Sequence, residues 1–199
     1  MICVVGSKDG PFHFLEGRPE KTRFFCESDP DNVFYNEMCG HKWMFDNIDS
    51  LMAEPFLGLE HYRRAFDYSM RDICEALVGC DIILKPQHGP YGEHTNLSVL
   101  KICSRHGLDY LEQATGWVER WPELEVQAQK TTHYGANMLI TRPKRYKEMM
   151  EEEFSYIREM LKAENLQRSI IGYFCETILT PYIVDKYNSN KKFLRVKCC

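Results

Sequence analysis

The residues best suited to chemistry stand together at His61-Tyr62-Arg63-Arg64, directly after the apolar run Phe56-Leu57-Gly58-Leu59 that begins behind Pro55. Two adjacent guanidiniums present planar, permanently charged donor forks that match phosphate or carboxylate oxygens two at a time. Charge is costly where a buried strand emerges unless something meets it, so an anionic ligand is one reading. The other is that Arg63 and Arg64 open a solvated helix and pair with Glu60 and Asp67. Glu176 stands in the apolar, aromatic stretch Ile170 to Leu179, where an ionised carboxylate needs a partner or a task. Asn137 enters the strand-like run Met138-Leu139-Ile140 and must satisfy both ends of its amide, through backbone groups or through a ligand hydroxyl.

These groups need a frame, and local patterns supply most of one. Ile2-Cys3-Val4-Val5 reads as a short strand stopped by Gly6, with turn chemistry from Gly6 to Pro11 that lacks both the Walker spacing and the dinucleotide-binding fingerprint. A second short strand is expected at Thr22 to Cys26. A helix is expected from about Val33 to Asn47, with Trp43 in the core. Asp29-Pro30-Asp31 has the letters of a metal-binding D-x-D motif, but it precedes a helical pattern and reads as a cap. Beyond the arginines come a helix from Met70 to Leu77, a strand from Gly79 to Pro86 and a loop over Gln87 to Thr95. Helices follow from Leu97 to His106 and Leu108 to Val118, then a strand ending near Thr141. The helix from Tyr146 to Ala163 places Met150, Phe154, Ile157 and Leu161 on one face, with Glu148, Glu151, Glu152, Arg158 and Lys162 on a wet one. The basic tail from Asn188 is expected to be solvated.

A chain of 199 residues with 44% hydrophobic content can bury one sizeable core, so a single domain over 1–199 is expected, whole or part of a larger protein. The net charge of -4 gives no electrostatic basis for a nucleic-acid partner, and no apolar run is long enough to span a bilayer. The first residues lack the pattern of a signal peptide, which implies a cytoplasmic protein. Nine cysteines without repeating spacing suit reduced thiols in a core better than a disulfide frame. A zinc site drawn from Cys26, Cys39 and His41, or from Cys198 and Cys199, lacks the paired spacing of structural zinc.

Gly58-Leu59-Glu60-His61-Tyr62-Arg63-Arg64-Ala65-Phe66 resembles the G-L-x-H-Y-R-R-x-F signature of a family of capsular and exopolysaccharide glycosyltransferases that includes galactofuranosyltransferases. Other stretches fall in that family's order. Tyr35-Asn36-Glu37-Met38 with Lys42 to Asn47 is similar to its segment ahead of the signature, and Asn137-Met138-Leu139-Ile140 to its N-M-F-I. Gly172 to Leu179 resembles the closing G-Y-L-S-E-R-L, with Thr177 where the family usually has arginine.

The resemblance implies an α/β architecture, a GT-A-like (Rossmann-like) mixed sheet flanked by helices. It implies transfer of a sugar from a nucleoside-diphosphate donor, with a UDP-sugar favoured, to a glycan acceptor in polysaccharide or glycoprotein glycan synthesis. Such transfer requires stabilising the charge that builds on the departing diphosphate and removing a proton from the acceptor hydroxyl. Arg63, Arg64 and His61 are the candidates for the first and Glu176 for the second. Gly6, Ser7 and Asn137 are expected against the donor, and Tyr91 and His94 on the acceptor side. A Mg or Mn ion bridging the phosphates is the usual alternative to protein cations. Because the signature offers no aspartate pair, weak or absent metal dependence is expected. The competing reading is a non-catalytic module that binds carbohydrate or protein.

Overall fold

The computed structural model of the chain describes residues 1–6, 21–25, 38–61, 64–85, 94–103, 110–131, 135–194 and 196–198. Ser7, Arg63, Tyr91, Glu37 and Asp29-Pro30-Asp31 lie outside the described residues.

A mixed sheet forms the centre. Its path runs β2 (Lys21–Phe25), β1 (Ile2–Gly6), β3 (Leu57–His61), β6 (Gly135–Thr141), β5 (Ile82–Lys85) and β7 (Lys191–Phe193). Off this path β4 (Arg64–Phe66) pairs with β3, and β8 (Val196–Cys198) pairs with β4. β1 is parallel to both β2 and β3, while β6 runs antiparallel to β3 and β5. The carboxyl ends of β1, β3 and β5 and the amino end of β6 therefore meet at one edge of the sheet.

Alternation along the strands feeds two apolar layers, as the two-residue period of a strand requires. Cys3, Leu57, Leu59, Ile82, Leu84 and Leu139 belong to the larger cluster. Ile2, Phe56, Ile83, Met138 and Ile140 belong to the other. The smaller layer is closed by α3 (Met70–Ala76), whose start is fixed by a reciprocal cap: Ser69 Oγ accepts the Asp72 amide at 3.2 Å and Asp72 accepts the Ser69 amide at 3.0 Å. The larger layer is covered by α1 (Met38–Asp46), α2 (Ile48–Leu51), α4 (Asn96–Cys103), α5 (Tyr110–Arg120) and α6 (Glu125–Gln129). It is completed by α7 (Pro143–Met160), α8 (Ile170–Phe174), a five-residue π turn at Cys175–Leu179 and α9 (Thr180–Tyr187). The expected α/β architecture, a mixed sheet flanked by helices, is the observed one.

Several local expectations are corrected. Arg64 does not open a helix; it begins β4, opposite His61. The basic tail is not simply solvated, because β7 pairs with β5, β8 pairs with β4, and Asn188 is buried. The cysteines are not uniformly free thiols: Cys39 is disulfide-bonded, while Cys3, Cys80 and Cys175 are buried and free. On α7, Glu153 is fully buried and follows directly on the acids of the wet face. No described helix is long and apolar enough to cross a membrane.

Candidate functional site

In open α/β sheets the crevice outside the carboxyl ends of the strands is where ligands bind. Here that edge gathers several of the residues singled out by type. β1 and β3 run in register with Val5 opposite His61, so Gly6 and His61 end neighbouring strands. The chain turns back after His61, and β4 begins with Arg64 directly across from it. Buried Glu60 closes this return from below, its Oε1 accepting the Phe66 amide at 2.9 Å. Arg64 is exposed and forms no ion pair among the described residues. His61 is half-buried. His94 is exposed just ahead of α4, whose first turn is held by Thr95, with its Oγ1 accepting the Ser98 amide at 3.2 Å.

Asn137 approaches the same edge from β6. Leu57 pairs with Thr141 and Gly58 with Ile140, and Asn137 lies nearer the amino end of β6, where the pairing of β6 with β5 shifts register between Leu84 and Lys85. The close approach of β3 to β6 is possible because position 58 is glycine. A Cβ there would meet Ile140 Cγ1 at 2.7 Å and the Leu139 carbonyl at 2.8 Å. Asn137 is 4% exposed, and neither its Oδ1 nor its Nδ2 has a hydrogen-bond partner among the described residues. Its backbone is held: the carbonyl lies 3.1 Å from His41 Nε2 on α1, and His41 Nδ1 lies 2.7 Å from the Tyr146 hydroxyl on α7. Burial lowers the His41 pKa to about 4, against the opposing pull of the Asn137 carbonyl. The ring is neutral near pH 7.

Glu176 sits in the π turn between α8 and α9, and that turn packs against β6. A π turn widens a helix by one residue and re-aims the side chains around it, and such turns recur at functional sites. Glu176 is half-buried. The carboxyl that is sealed off is Glu153, whose Oε1 accepts the hydroxyl proton of Thr180 and whose Oε2 is unpartnered among the described residues. Desolvation raises the Glu153 pKa to about 7, against the opposing effect of Thr180. Glu153 in turn adds to the upward push that burial gives the Cys175 thiol at the start of the π turn.

The structure thus brings Gly6, His61, Arg64 and Asn137 to one edge, with Glu176 on a turn packed against the strand that carries Asn137. Sequence reading considered His41 only for a weak zinc site and did not single out the side chains of Tyr146 or Glu153. Among the described residues no group of three His, Cys, Asp or Glu side chains is placed to hold a metal ion.

The fold has a solved counterpart. The apo structure of the bifunctional glycosyltransferase WbbM superposes with a TM-score of 0.74 at 16% sequence identity, covering 99% of this chain and 45% of that one. This chain therefore spans less than half the length of that enzyme. Curated protein sequences give no match. The family model described as Domain of unknown function (DUF4422) matches residues 29–188, most of the chain, and the chain belongs to that family.

Proposed function

We propose that the chain is a nucleotide-sugar-dependent glycosyltransferase domain of GT-A type, acting on a glycan acceptor. The observation that carries this reading is the buried amide of Asn137, unpartnered among the described residues, at the edge where β1 and β3 end, on a fold shared with a glycosyltransferase. In this mechanism His61, Arg63 and Arg64 face the diphosphate and stabilise the charge that develops on it as the glycosidic bond to phosphate breaks. One fixed donor in a sheltered site typically lowers such a barrier by a few kcal/mol. Gly6 and Ser7 lie along the nucleoside, with UDP the favoured carrier, and Asn137 meets the donor's sugar. Glu176 takes the proton from the attacking hydroxyl, and Tyr91 and His94 contact the acceptor. A Mg or Mn ion on the diphosphate is compatible with this scheme and is not required by it.

The test is binding and turnover of donor. UDP, GDP or dTDP at saturating concentration raises the melting temperature of a nucleotide-dependent enzyme by mass action. The same protein hydrolyses the matching nucleotide sugar slowly in the absence of acceptor. Replacing Glu176 by Gln is expected to leave the nucleotide-induced shift intact and to cut transfer to acceptor by roughly 100-fold or more, the scale of lost general-base catalysis. A protein that ignores all three nucleotides is a carbohydrate- or protein-binding module instead.

A further inference from the structure

We propose that His41 and Tyr146 are positioning residues that fix Asn137 so that its side-chain amide reads a hydroxyl of the donor's sugar, a role that rests on the transferase reading above. The hydrogen-bond chemistry forces one arrangement. The Asn137 carbonyl only accepts, so a neutral His41 must carry its proton on Nε2 and donate it there. Nδ1 is then an acceptor, and the Tyr146 hydroxyl 2.7 Å away must donate to it. The same hydroxyl lies 3.4 Å from the His41 carbonyl, a longer and weaker alternative for its single proton.

The relay ties three elements together: α1 through His41, α7 through Tyr146 and β6 through Asn137. All three residues are at least nine-tenths buried. Its outcome is uneven. The backbone of Asn137 is pinned from within the core, while both ends of its amide are left without partners among the described residues. Leaving buried polar groups unpaired is costly, and such groups persist in folded proteins where something else satisfies them. An amide offers one acceptor and two donors. A sugar hydroxyl both donates and accepts, so it can serve both ends, whereas a diphosphate oxygen serves only the donor end.

The prediction is a split between two affinities. Free UDP, GDP and dTDP are titrated beside the corresponding UDP-, GDP- and dTDP-hexoses, using wild type, Asn137→Ala, Tyr146→Phe, His41→Ala and His41→Gln. In wild type the sugar adds affinity over the free diphosphate. Asn137→Ala removes that increment, weakening the nucleotide sugar about tenfold while the diphosphate stays within about twofold. Tyr146→Phe keeps the ring and its packing and deletes only the hydroxyl that holds the tautomer. It is expected to lose roughly three- to tenfold on the nucleotide sugar alone. His41→Gln keeps a donor toward the Asn137 carbonyl and retains more of the increment than His41→Ala. Nitrogen chemical shifts of His41 give a readout independent of ligand: the Nε2-protonated tautomer in wild type, and a mixture in Tyr146→Phe. A merely structural role would lower both affinities together, or neither, and that result overturns the inference. A wild type that binds the diphosphates but gains nothing from the sugar also overturns it and leaves the transferase reading standing. A wild type that binds neither class removes both.

Discussion

Glu153 and His41 respond to burial in opposite senses. Desolvation favours the neutral form of each, which lifts the acid from its ordinary 4.5 to about 7 and drops the base from 6.5 to about 4. The signs for stability follow from linkage. Glu153 contributes stability fully below pH 4.5 and loses it as pH rises through 7; His41 contributes above pH 6.5 and loses it as pH falls through 4. Each effect reaches roughly 3 kcal/mol at its limit, and the two oppose one another between about pH 4.5 and 6.5. Glu153→Gln keeps an acceptor for Thr180 and removes the titration. Relative to wild type, this variant is expected to gain about 2 kcal/mol of unfolding free energy on going from pH 5 to pH 8, measured by urea denaturation at both values. A difference that stays flat with pH means that Glu153 is not a proton-bearing buried acid.

Both residues were within reach of the sequence. Tyr146, Met149, Met150, Glu153, Phe154, Ile157 and Met160 follow helical spacing, and Glu153 falls on the apolar stripe, not beside it. His41 stands midway between Met38 and Met44 on the inner face of α1. Glu176 drew attention because its neighbours are apolar, but spacing alone does not reveal a π turn. The extra residue breaks the period that would say which way the carboxylate faces.

At the scale of elements, strands with a clear alternation or a turn signal were legible: β1, β2, β3, β5 and β6 lie close to their expected places. α3 and α7 were legible too, the second through its apolar stripe, although α7 starts at Pro143, three residues ahead of the expected Tyr146, and ends at Met160. β4, β7 and β8 were not. Each is three residues long and owes its conformation to a partner strand far away in sequence, which local propensity does not encode. Gly58 shows how tightly the elements are fitted. Gly58→Ala is expected to lower stability by about 1–3 kcal/mol, because the added methyl meets the Leu139 carbonyl and the Ile140 side chain and must push β3 and β6 apart. Thermal or urea denaturation reads this directly. A variant as stable as wild type would show that the strand pair has room to spare.

For the molecule as a whole, the sheet separates support from chemistry: two apolar layers occupy its faces and the candidate groups gather at one of its edges. In the proposed mechanism, the charge on a departing diphosphate is met by His61, Arg63 and Arg64. Donor hydrolysis is accordingly expected to stay within about twofold after removal of divalent ions, since fixed cations supply the same electrostatic term. Activity lost to a chelator and restored by manganese would mean that a metal carries that charge. The acceptor side, Tyr91 and His94, was read from family resemblance alone, and Tyr91 lies outside the described residues.

The pairing of β8 with β4 carries a consequence for synthesis. Arg64 lies across from Cys198, and Phe66 from Val196, so the strand bearing the arginine acquires its outer neighbour from residues 130 or more positions later. While the polypeptide is still emerging from the ribosome, the β3–β4 return has an open flank. Completion of this flank of the sheet therefore waits on the arrival of β8 and is not set by the folding of the β3–β4 motif itself.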